Sequence, residues 1–328
     1  VNIYRILAVL SLVFVCVISS RAQPAPVQQL QNFQLSQQLQ APLPGLRAGT
    51  NAPELYQGEN ADVGPQRILR LKPHTDYFDV LFDSEAFYSD NANFAQAPNA
   101  IGSMIFVDTV QAAFMPPPIT IGPGKFEPSA GVASQWYNYA NSRMSPLDFE
   151  AQTIFANGRY SFGKWQIGAG VNYTRLVNQA NYEQTYQELL PNFGIQRIFS
   201  IGQKLLLAVG DQVDYHFTDV PSVFGSRSDI NDHFDNDVNV TLSWQMTRHM
   251  IVQPFYRFQF SNYRYNTLQT SDRNDYLHTV GIALFYYFNK NVSLRTFFNY
   301  STKTSDDPFT SNYHEYDGGI GAELEFKF

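Results

Sequence analysis

Asp79, Asp83, Glu85, Asp148, Glu150, Asp214, Asp237, Glu323 and Glu325 occupy the polar positions of alternating segments, against Arg257, Arg295 and Lys327. Carboxylates dominate the early segments and cationic groups the late ones. Facing arcs of opposite sign would set a transverse field across any space they share. Such groups either pair with one another to hold a structure together or meet a passing polar solute and set its selectivity. The sequence leaves both readings open. The histidines (His74, His216, His233, His249, His278 and His314) are not spaced as a metal-binding pair on one helix or strand. His233 falls among Asp229, Asp232, Asp235 and Asp237, a pattern that reads as a solvated acidic loop, with an oxygen-bound divalent cation as the alternative. EF-hand, phosphate-loop and dinucleotide-binding patterns are missing. No catalytic residue, cofactor or bound metal is expected. The net charge of −7 offers no basic footprint for nucleic acid.

The elements that must position these groups are strands. Trp165, Ile167, Ala169, Val171 and Tyr173 alternate with Gln166, Gly168, Gly170, Asn172 and Thr174. The same period of two runs through Val238–Met246, Val252–Phe260 and Val292–Tyr300, one face apolar and the other polar or small. About twelve such segments follow one another, near 78–90, 101–115, 126–140, 147–161, 164–177, 186–201, 204–218, 236–247, 250–265, 274–288, 291–303 and 314–328. Their connections alternate between tight turns, at Gly163-Lys164, Gly202-Gln203, Thr247–His249 and Asn289–Asn291, and longer polar stretches. Short turns at one end and long loops at the other mark a transmembrane barrel, whose strands need only about ten residues to cross. The fold class expected is all-β: a transmembrane antiparallel up-and-down β-barrel of about 12 strands. An aromatic load of 27 Phe, 20 Tyr and 3 Trp suits girdles at two membrane interfaces. The mean hydropathy of −0.27 stays low because polar lumen positions offset apolar lipid positions. Several places resist this pattern. Asp211 and Arg197 fall on the apolar face, the segment around Asp108 fits neither register, and Pro254 interrupts a good strand. Bulges at Gly210 and near Arg159 would re-phase the pattern.

Residues 1–22 read as a secretory signal peptide, with Arg5, the apolar run Ile6–Ile18 and the small residues Ser20 and Ala22 before a cleavage point. The only cysteine, Cys16, lies in that run, so the mature chain carries no disulfide or thiolate site. Residues 23–76 are Gln- and Pro-rich and read as a mostly disordered periplasmic tether; residues 77–328 form the barrel.

The chain closes on Ile320-Gly-Ala-Glu-Leu-Glu-Phe-Lys-Phe328, which resembles the terminal signal of bacterial outer-membrane proteins, although Glu323 stands where glycine is usual. Together with the stretch Asn289–Ser301 (NKNVSLRTFFNYS), this ending makes residues 78–328 similar to the β-barrel porin family of Gram-negative bacteria. The resemblance implies outer-membrane lipid and lipopolysaccharide as surroundings, the barrel-assembly machinery as a partner through Phe328, and small hydrophilic solutes as cargo diffusing passively. Two alternatives remain. One is a structural or adhesive barrel with a plugged lumen. The other is an outer-membrane hydrolase, for which His216-Phe-Thr218 is the nearest analogue of the His–Ser pair of the outer-membrane phospholipase, with threonine in place of serine.

Overall fold

The computed structural model describes residues 25–40, 76–202, 204–221 and 227–328, with the backbone alone at 35–40. The expected signal peptide and residues 23–24 and 41–75 of the expected tether lie outside the described residues.

Alternation builds one continuous ladder. Its strands are β1 (Phe78–Ser89), β2 (Ser103–Phe114), β3 (Ile119–Ile121), β4 (Gly124–Tyr139), β5 (Phe149–Phe162), β6 (Trp165–Asn178), β7 (Gln184–Ser200), β8 (Leu205–Asp219), β9 (His233–Gln245), β10 (Met250–Tyr263), β11 (Arg273–Tyr287), β12 (Val292–Ser305) and β13 (Tyr313–Lys327). Each long strand pairs antiparallel with its neighbours, and β1 pairs with both β2 and β13, from Asp79↔Lys327 to Ser89↔Asp317. β2 pairs directly with β4, while the three-residue β3 is a short arm on β4 alone. The 13-stranded sheet is therefore a closed 12-stranded cylinder with one appended arm. Closure leaves no edge, the condition for a sheet to cross hydrocarbon with every backbone group paired. Among the described residues no helix is long and apolar enough to cross a membrane.

Polarity is inverted relative to a water-soluble protein. Phe82, Val132, Ile154, Val280, Phe298 and Ile320 point outward and are 42 to 60 % exposed. Gln135, Thr174, Gln253, Thr279 and Ser301 point inward and are buried. Only an apolar medium outside makes that arrangement favourable. The β2 strand takes an unambiguous register, with Ile105, Val107 and Thr109 inward and Asp108 outward. No bulge occurs at Gly210 or Arg159, so neither re-phases its strand. Asp211 stays on the outer face and accepts a 2.8 Å hydrogen bond from Asn236; Asp108 accepts one of 2.6 Å from Ser84. Arg197 stacks its guanidinium 4.9 Å from the Trp165 and Phe199 rings near the short-turn end, where a charge costs little. The β9–β10 ladder skips Gln253 and Pro254, as a missing amide donor requires.

A further element occupies the inside. Helix α1 (Ala25–Gln40) falls within the stretch read from sequence as mostly disordered. Glutamine and leucine are good helix formers, and Pro26 sits in the first turn, where proline is tolerated. The side chains of residues 25–34 are all buried or half-buried, and Val27, Leu30 and Phe33 are fully so. Phe33 stacks on Phe87 of β1 and meets Tyr137 of β4 edge-on. Gln28 donates to the Tyr313 hydroxyl of β13 at 2.9 Å, and Gln31 reaches His216 of β8. Contacts to the inward faces of strands all round the cylinder put α1 in the lumen.

Candidate functional site: the lumen

Three groups of side chains share the interior with α1. Beneath Val27, Leu30 and Phe33 the wall is apolar, made by Phe87, Ile105, Val107, Tyr137, Phe149 and Ala151. Gly319 lies opposite Phe87, and a Cβ there would collide with Phe87 Cβ and the Ala86 carbonyl, so the glycine lets β1 and β13 approach closely at the base of the side chain that stacks on Phe33.

At the seam, Arg295 lies between Asp83, at 3.2 Å, and Glu85, which it meets still more closely; Asp83 and Glu85 are buried. Lys327 reaches Glu325 at 2.9 Å and Asp79 at 3.6 Å. Glu323 pairs with Asp83 in register and shares its inward face.

Across the lumen, β7 to β10 carry a buried network. Arg257 binds Asp237 at 2.5 Å and donates to Gln259, which in turn donates to Asp235. His216 faces Glu188 at 3.0 Å and Asp235 at 3.4 Å, while His233 faces Asp235 at 3.6 Å. Above it, Lys303 and Arg273 converge on Asp275 at 2.8 and 3.2 Å, with Arg273 stacked 3.6 Å over the Tyr263 ring. A polar cavity of about 430 Å³ remains between this wall and the helix, lined by Gln31, Gln34, Glu188, Asp214, His216 and Asp235, and extending past Arg159.

Most of the charged residues singled out from sequence face this interior: Asp79, Asp83, Glu85, Asp214, Asp237, Arg257, Arg295, Glu323 and Glu325. Asp214 alone of that group borders the cavity. Two do not face inward. Asp148 precedes β5 and accepts the Tyr139 amide at 2.8 Å from its loop, where burial raises its pKa above the ordinary value. Glu150 is on the outer face, held by Ser134 at 2.6 Å and Gln152 at 2.8 Å. The cause is the helix: Phe149 and Ala151 turn in to the apolar wall, and Glu150 turns out.

His233 and Asp235 were read as loop residues because the strand was expected to begin at 236. It begins at His233, which puts both on the wall, and carrying the alternation of Asp237 back by two and four positions would have found them. Thr218 donates to Asp232 at 2.9 Å rather than to His216, so the two are not arranged as nucleophile and base. On the long-loop side, Asp307 clasps two loops by accepting the Thr267 amide and hydroxyl at 2.8 and 2.5 Å and the Phe309 amide at 3.0 Å. Burial pushes its pKa up, but these donors outweigh it and hold the carboxyl below its ordinary range.

No protein-family model and no curated protein matches the chain. Among solved structures, an outer membrane channel from Pseudomonas putida F1 superposes with a TM-score of 0.53 at 8% identity, over 77% of this chain and 96% of that one. The fold is that of an outer-membrane β-barrel. The outer membrane channel DcaP of Acinetobacter baumannii gives 0.42 at 11% identity, over 76% of this chain and 96% of that one. The transport unit of the autotransporter AIDA-I from Escherichia coli gives 0.47 at 8% identity, over 79% and 93%. A cylinder with this apolar outside and this polar inside belongs in the outer membrane.

Proposed function

We propose that the barrel is a narrow outer-membrane channel through which small hydrophilic solutes diffuse beside a fixed internal helix. The observation that carries the reading is the polar cavity between α1 and the β5–β10 wall, about 430 Å³ and within the ~300–1,000 Å³ range of small-molecule sites. Amides and carboxylates line one side of that lane, so it suits a neutral or cationic solute that exchanges hydration for side-chain contacts. The seam charges around Arg295 are paired with each other and act as structure.

A second reading has its own observation. Val27, Leu30 and Phe33 seal the apolar side of the lumen, as a plug would. Planar-bilayer recording separates the two with the full chain and the Leu30→Asp variant, whose buried carboxylate would loosen the helix. A channel gives small ohmic steps in the full chain and larger ones in the variant. A plugged barrel is silent until the variant opens it. Silence from both would defeat the channel reading and the plug reading of α1 together.

A further inference from the structure

His216 and His233 face each other across the β8–β9 ladder as register partners, with rings stacked 3.9 Å apart. The second nitrogen of each ring is already engaged. His233 Nδ1 lies 2.7 Å from the Asn231 carbonyl, an atom that only accepts, so Nδ1 carries the proton. His216 Nδ1 lies 3.0 Å from the Glu188 carboxylate and 3.4 Å from the Gln31 amide nitrogen, and the shorter contact to the charged acceptor favours the same tautomer. Glu188 is itself held by the Tyr186 hydroxyl at 2.8 Å. Both Nε2 atoms then turn a lone pair toward one carboxylate oxygen, Asp235 Oδ2, at 3.4 and 3.6 Å. Gln259 donates to the same oxygen, and a proton on one Nε2 or a metal ion shared by the three atoms would satisfy the remaining lone pairs. The other oxygen, Asp235 Oδ1, is buried with no hydrogen-bond partner.

We propose that His216, His233 and Asp235 form a binding site for one divalent transition-metal ion of the zinc type, opening on the lumen cavity. One donor atom from each residue lies within 4.8 Å of the other two. The nitrogen–oxygen separations match the edge, about 3.4 Å, of a tetrahedron whose ligands stand ~2.1 Å from zinc. Imidazole donating its far N–H to a carboxylate or a backbone carbonyl is the usual support of a metal-bound histidine. Two neutral nitrogens and one carboxylate favour a borderline ion over calcium or magnesium, which take oxygen donors. Near-parallel rings 3.9 Å apart cannot both aim in-plane lone pairs at one ion, so binding requires at least one imidazole to turn out of the stack, and the cavity beside His216 leaves a fourth position for water. The site does not depend on whether the lumen conducts.

The test uses the full chain, free of any affinity tag, folded in detergent, stripped with EDTA and titrated with Zn²⁺ by calorimetry. One ion per chain is expected, bound at least about tenfold more weakly by His216→Gln and by His233→Gln; Glu188→Gln, which keeps all three ligands, should weaken binding by about 10- to 100-fold. Folding of each variant is checked by its heat-dependent shift on a gel. Equal Zn²⁺ binding by the wild type and the histidine variants, or none by any, overturns the proposal. Should a histidine variant not fold, Co²⁺ on the wild type decides: visible bands of a four-coordinate nitrogen–oxygen site support it, and an aqueous-ion spectrum overturns it.

Discussion

Arg295 illustrates what a lumen charge does in this barrel. Its guanidinium lies between two buried carboxylates, so removing it strands both. Arg295→Met should cost about 3–5 kcal/mol, read as a fall in the urea midpoint of the folded barrel. A change under 1 kcal/mol would mean that the seam is hydrated and the pairing incidental. Asp307 gives a pH prediction outside the membrane. Its pKa is lower folded than unfolded, so its contribution is complete above the unfolded carboxylate value near ~4 and is lost as pH falls through the folded value. The protection factors of the Thr267 and Phe309 amides, taken relative to their slower intrinsic exchange in acid, should therefore fall as the pH drops, while Asp307→Asn should weaken the clasp by about 1 kcal/mol and remove that pH dependence. At this scale much was legible in the sequence, because alternation assigns a face to every residue. Asp83, Glu85, Asp237, Arg257 and Arg295 all face the side their phase demands. Glu150 does not, because a residue outside the alternating set, Phe33, made the local interior apolar.

The same cause acts on whole elements. The β2 segment fitted neither register in sequence because Ile105 and Val107 face α1 while Met104 and Phe106 face lipid, which leaves it apolar on both sides. The helix itself was obscured because Val27, Leu30 and Phe33 repeat every three residues among glutamines, too few to mark a sustained stripe. At 16 residues it barely exceeds the ~12–15 at which even Ala-rich helices are marginal, and it has neither alanine richness nor charges to complement its ends. A peptide of residues 25–40 should show little helix by circular dichroism, whereas Gly319→Val, by displacing Phe87, should make α1 in the full chain more accessible to protease. Strong helicity of the free peptide would show that the lumen selects a preformed helix rather than inducing one. Strand existence and the alternation of short turns with long loops were legible throughout. The start of β9 was not, because His233-Phe-Asp-Asn carries too many polar residues to stand out from the loop before it.

For the molecule as a whole, the claim is that a polar lane persists beside a helix that stays in place. The outward Phe, Ile and Val residues require that the folded chain be kept in detergent or lipid. The lane itself is narrow, so single-channel steps should be smaller than those of a barrel with an empty lumen. The most direct test is bilayer conductance of the full chain carrying Gln28→Cys and Tyr313→Cys, positions whose native side chains meet tip to tip across helix and wall. Their backbones stand further apart than the ~7 Å a disulfide spans, so a short bis-maleimide joins them, and no cysteine other than Cys16 competes for it. Ohmic steps of similar size before and after cross-linking are predicted, since passage runs past a stationary helix. Steps that vanish on cross-linking, or that never occur in either state, would contradict it.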